Sequence, residues 1–181
     1  MMRIVLLASM AAAGPVGAAE IEPAALIALL ERRCLTPMMA GQPADTAGLD
    51  VAEGAPSIGT PDSRHDFTDV IPGVDLELRT ISAGVSSCSV SHPIESPAQA
   101  EAINDQLAVL ARERRFNTLN APCDTEGIHS YRLFESAGLT PEGRFIGIAS
   151  FVIHVPPLPA FQSLTVAESD VPLTRHGACN E

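Results

Sequence analysis

The sequence has no lysine, no Cys-x-x-Cys pair, no Gly-x-Ser-x-Gly segment and no apolar run long enough to span a bilayer. All 11 basic residues are arginine, a bias that fits a GC-rich, bacterial coding sequence and says nothing about chemistry. Without a Cys-x-x-Cys pair, neither a thioredoxin-like redox site nor a zinc knuckle is indicated. Gly84-Val85-Ser86-Ser87-Cys88 has a serine in a turn-like setting but not the glycine spacing of a nucleophile elbow. Positive charge is scarce, with 11 basic residues against 22 acidic ones and a formal net charge of -11. Such a surface repels nucleic-acid phosphates and anionic lipid, so no nucleic-acid partner is expected. The carboxylates are numerous, yet no spacing singles out two that would face each other across a sugar.

What is present begins with a leader. Arg3 is the only charge before Glu20, and an apolar stretch from Ile4 to Ala13 is followed by Gly14, Pro15 and the small residues Gly17, Ala18 and Ala19. A stretch of about ten apolar residues is the length of a signal-peptide core and about half of what a membrane span needs. Residues 1–19 are therefore expected to be a cleaved signal peptide, with no membrane span left afterwards. Residues 20–181 then form one domain of periplasmic or secreted destination, since about 160 residues suit one core and not comfortably two. Loss of Arg3 makes that domain one unit more negative than the full chain.

Four cysteines, Cys34, Cys88, Cys123 and Cys179, remain in it. An even number in an exported chain points to disulfides. The pairing that ties each terminal segment to the nearer part of the core is Cys34 with Cys88 and Cys123 with Cys179.

Along the chain, Pro23 and the helix formers of Ala24–Arg33 predict a first helix with Leu26, Leu29 and Leu30 inward, which Pro37 kinks or ends. Residues 41–64, rich in Gly, Pro and acids and without an anchoring aromatic until Phe67, read as a long loop, mobile rather than ordered. Val74, Leu76 and Leu78 alternate with Asp75, Glu77 and Arg79, and 85–91 returns as the partner of a hairpin. Ser96, Pro97 and Gln99 form a capping box that starts a helix reaching about Arg115, with Ala100, Ile103, Leu107, Leu110 and Ala111 as its buried stripe. Ile128–Glu135 is read as a strand, 144–155 as a central strand on its apolarity, and Ser163–Ala167 as an edge strand. The fold class expected is α+β: a small, mostly antiparallel sheet of about four or five strands, the capped helix packed on it, an N-terminal helix beside it, and two disulfides.

Cys123, Glu126, His129, His176 and Cys179 match no zinc spacing, and oxidised cysteines do not ligate. His65 with Asp66 and Asp69 reads as a solvated polar loop, and His154 as a histidine of the central strand. Tyr131–Leu139 with Gly143-Arg144-Phe145 resembles the last motif of the GNAT acetyltransferases, where a helix leads into a glycine. The resemblance spans about a tenth of the chain, and the Arg/Gln-x-x-Gly-x-Gly/Ala turn that would hold the pyrophosphate of acetyl-CoA is missing. No catalytic, cofactor-binding or metal-binding residue is therefore assigned. The function expected is a disulfide-stabilised exported binding or accessory protein for a protein or envelope component. The alternative is a small periplasmic hydrolase assembling its groups from Ser86, His92, His129 and the acids.

Overall fold

A computed structural model describes residues 21–49, 64–71, 73–81, 85–119, 128–154 and 159–172. The leader, Cys123 and Cys179 with their expected bond, and the side chains of the Cys123–Glu126–His129–His176 group lie outside the described residues.

The N-terminal helix runs as α1 (Pro23–Leu30), a π-helical turn (Glu31–Leu35) and α2 (Thr36–Met39). Proline in the first turn costs α1 nothing, because the N–H it lacks would have had no partner there. Leu26, Ile27, Leu29 and Leu30 are buried, at about 1.5–3 kcal/mol for each fully buried leucine side chain. In the π-turn the amide of Thr36 bonds the carbonyl of Glu31, five residues back. Pro37 does not end the helix. Its effect falls one turn earlier, where it has no amide proton for the carbonyl of Arg33. Asp45 supplies one instead, from 2.7 Å. The helix stops at Gly41, whose φ of +70° suits glycine, while the amide of Gln42 turns back to the carbonyl of Pro37.

Among the described residues, seven strands form one antiparallel sheet in the order β1-β2-β3-β7-β6-β5-β4, larger than the four or five expected. They are β1 (Arg64–Ile71), β2 (Val74–Ile81), β3 (Val85–Pro93), β4 (Phe116–Leu119), β5 (Ile128–Ser136), β6 (Phe145–Ile153) and β7 (Phe161–Ser169). The first three make one meander and the last four another, with α3 (Pro97–Glu113) between them. The two join where β7 pairs with β3.

Two segments differ from what the sequence predicts. Segment 161–169 is the middle strand of the sheet and not an edge, flanked by β3 and β6. Arg64–Ile71 is strand and not solvated loop, with His65 and Phe67 buried and Asp66 exposed. Of the long loop expected over 41–64, residues 41–49 are described. Arg33 holds them through Nη1 bonds to the carbonyls of Asp45 and Ala47, at 3.2 and 2.9 Å, and an ion pair to Asp45.

α3 follows its capping signal. Ser96 Oγ accepts from the amide of Gln99 at 3.2 Å, and Gln99 Oε1 accepts from the amide of Glu95 at 2.9 Å. Its inward stripe is Ala100, Ile103, Asn104, Leu107, Leu110 and Ala111. At its far end Arg115 has a left-handed φ of 60°, and Arg114 pairs with Glu31 of the π-turn. On the sheet, the helices cover the face that carries Leu76, Leu78, Cys88, Val90, Ile148, Leu164 and Val166. Cys34 and Cys88 are bonded across this interface with Cα atoms 5.5 Å apart, which staples helix to sheet. None of the described helices is long and apolar enough to cross a membrane.

Candidate functional site

Register decides which side chains meet. His92, Gln162 and Val152 stand side by side on β3, β7 and β6, and one step along the strands Val90, Leu164 and Ser150 make the next row. Both rows face the helices. A core lined by leucine and valine thus receives Gln162 and Ser150 at 0% exposure, His92 at 1% and Asn104 of α3 at 2%. Burying polar groups is unfavourable unless they bond to one another.

They largely do. Ser150 Oγ donates to Asn104 Oδ1 at 2.6 Å. Gln162 Nε2 faces three acceptors: Asn104 Oδ1 at 3.0 Å, Ser150 Oγ at 2.9 Å and the carbonyl of Ala100 at 3.4 Å. One amide thereby ties α3, β6 and β7 together. His92 Nδ1 lies 2.8 Å from the carbonyl of Pro93, which can only accept. The proton of the neutral ring is therefore on Nδ1, and Nε2 is left as an acceptor. Gln162 Oε1, also an acceptor, lies nearby, and neither atom has a partner. Burial pushes the His92 pKa below the ordinary histidine value, against the carbonyl of Pro93 and the side chain of Gln162, which both favour the protonated ring.

Beside this network, at the amino end of α3, is a cleft of about 290 Å³. Ile94, Pro97, Ala100, Val152 and Ala160 give it apolar walls, and Glu95, Glu101 and His154 bring polar groups to it. The network and the cleft share Ala100, whose carbonyl receives Gln162, and Val152, the register partner of Gln162. Its volume sits at the lower edge of the roughly 300–1,000 Å³ usual for ligand pockets. His154 is not a residue of the central strand: β6 ends at Ile153, and His154 is exposed.

The other candidates are dispersed. Ser86 and His92 are six residues apart on β3, about 20 Å at strand spacing, so the serine and this histidine do not meet. His129 pairs in register with Val152 on β5, two strands beyond β7. His65 is buried with both ring nitrogens unpartnered, while Asp66, on the other face of β1, bonds Arg64 at 3.2 Å. Among the described residues no three His, Cys, Asp or Glu side chains are grouped to hold a metal ion. The segment resembling the acetyltransferase motif is β5 and the turn after it, so no helix leads into Gly138 and that resemblance does not hold.

On the face of the sheet away from the helices the β3–β7 pair carries hydroxyls, and Phe151 and Ile153 of β6 and Phe161 of β7 stand beside them in register, each partly exposed. Ser89 bonds Thr165 at 2.8 Å and Ser91 bonds Ser163 at 3.1 Å across the β3–β7 pair. The large apolar side chains exposed among the described residues, Val109 and Leu139, are on α3 and after β5. No protein-family model, curated protein or solved structure matches the chain.

Sequence reasoning missed Asn104, Ser150 and Gln162. One signal was available: Asn104 occupies an inward position of the α3 stripe, between Ile103 and Leu107, where an apolar residue is expected.

Proposed function

We propose that this chain is an exported, disulfide-stapled binding or accessory domain whose ligand seats in the cleft at the amino end of α3. The observation that carries this reading is the placement of the cleft. It is a mostly apolar concavity whose wall at Ala100 and Val152 is held by a buried polar network joining α3, β6 and β7. A rigid, largely preformed apolar recess with a few polar groups at its margin is what small-ligand sites have in common. Polar side chains that give up apolar contact in the core to fix that wall fit a binding role better than a purely structural one. Export rests on the leader-like residues 1–19, and the Cys34–Cys88 bond suits an oxidising compartment.

The test is ligand screening of the protein purified from its native compartment, with intact-mass analysis of the same sample. The reading expects a mature chain starting near Glu20 and small-molecule hits that raise the melting temperature. Those hits should be lost in Ala160→Trp, which fills the cleft from its half-buried rim. Hits that bind Ala160→Trp equally well refute the site, and a full-length chain starting at Met1 or Met2 refutes export.

A further inference from the structure

The cleft has a charge preference that follows from its rim and from the way α3 begins. A helix amino end ordinarily offers free amide protons to an anion. Here most are spent or missing. Pro97 has none, the amide of Gln99 donates to Ser96 Oγ at 3.2 Å, and the amide of Ala100 donates to the carbonyl of Ser96 at 3.4 Å. The Glu95 amide just before the helix is taken up by Gln99 Oε1 at 2.9 Å. An anion entering the cleft would find few donors.

It would also meet two carboxylates. Glu101 is paired with Arg132 at 3.4 Å, which offsets its charge. Glu95 is exposed and its carboxylate has no ion-pair partner among the described residues. Among the described residues, a carboxylate without an ion-pair partner thus stands at the mouth of an apolar recess in a chain of net charge -11. The complement is a positive charge on an apolar body.

Resting on the reading of the cleft as a ligand site, we propose that it takes a small organic cation, an ammonium group on a compact hydrocarbon frame. The hydrocarbon packs against Ile94, Pro97, Val152 and Ala160, and the ammonium stays at the mouth beside Glu95. At about 290 Å³ the recess fits one small ring or a short branched chain and not a lipid tail or a peptide segment.

Three probes of similar shape and different charge test this: cyclohexylammonium, cyclohexanol and cyclohexanecarboxylate. Each is titrated into the full mature protein at low ionic strength and followed by amide and methyl chemical shifts. The ammonium is expected to bind tightest and the carboxylate weakest, with shifts centred on Ala100, Val152 and Ala160. Glu95→Gln should weaken the ammonium by about two- to fivefold, the range of an exposed ion pair, and leave the alcohol unchanged. Added salt should weaken the ammonium alone. Carboxylate binding equal to or tighter than ammonium binding overturns the cation preference. If those shifts still map to the cleft and vanish in Ala160→Trp, the ligand-site reading survives without it. Failure of all three probes to shift the cleft overturns the cation proposal, whereas the ligand-site reading is judged separately by the screen and its Ala160→Trp control.

Discussion

Asp45 donates its backbone N–H to the carbonyl of Arg33 at 2.7 Å, filling the place left open because residue 37 is proline. The Arg33 side chain then holds the same strand of loop through the carbonyls of Asp45 and Ala47. Arg33→Ala should cost about 1–2 kcal/mol, the worth of a hydrogen bond from a charged donor that is mostly shielded from water. Urea unfolding of the variant decides it, and an unchanged midpoint would remove Arg33 as the anchor of residues 45–47.

The staple between Cys34 and Cys88 closes a separation of 54 residues with both cysteines at 0% exposure. Replacing both by alanine should lower stability by about 4 kcal/mol in the chain-entropy description. Dithiothreitol should leave the bond intact in the native protein and reduce it once urea is added. Alkylation followed by mass measurement reads both states, and ready reduction of the folded protein would contradict the burial.

His92 links stability to pH. Its folded-state pKa is lowered, so between that value and the unfolded one the unfolded chain binds the extra proton. The His92 contribution is complete above the unfolded pKa of about 6.5 and is lost progressively as the pH falls from there towards the folded value. The difference in unfolding free energy between wild type and His92→Leu, followed from pH 8 to pH 5, should therefore move against the wild type as acid is added. A flat difference would mean that the ring already has a partner for its second proton.

Within the buried network, Asn104→Ala removes the oxygen that accepts from both Ser150 and Gln162. It should destabilise by about 2–3 kcal/mol through unpaired donors and lost volume. Gln162→Leu combined with Asn104→Ala should be milder than the two single effects added, with a coupling of about 1 kcal/mol or more. Strict additivity in denaturant melts would show that the two amides do not act together.

Two backbone positions carry opposite expectations. Arg115 is left-handed without being glycine, so Arg115→Gly should raise stability by about 1 kcal/mol. Gly41 is left-handed and has the Glu142 carboxylate against it, so Gly41→Ala should lower stability by about 1–2 kcal/mol. Thermal melting of the two variants should move in opposite directions.

The elements legible in the sequence were those with a local cause. Ser96, Pro97 and Gln99 announce α3, and Val74, Leu76 and Leu78 announce β2. β1 alternates as well, but one inward position is His65, and an inward histidine among Asp and Arg looks like a turn. β4 is four residues long, too short to show a period. From sequence β7 looks like an edge strand, because Gln162 and Ser163 make it look wet. Its burial is tolerable because partners arrive from elsewhere: Asn104 and Ser150 for Gln162, and Ser91 for Ser163. The site was hidden for the same reason, since its parts come from β3, α3, β6 and β7 and meet only through register.

Because β7 fills the slot between β3 and β6, the middle of the sheet is the last of its strands to be made. Until it arrives, each meander exposes an open edge, and the Gln162 amide that ties α3 to β6 is missing. A chain made amino end first therefore has the strands of both half-sheets before their keystone, which is complete only when about nine-tenths of it has been made. During that interval Val90 lacks its register partner Leu164 and Ile148 lacks Val166, and the open edges of β3 and β6 would be the natural ground for a holding chaperone to occupy.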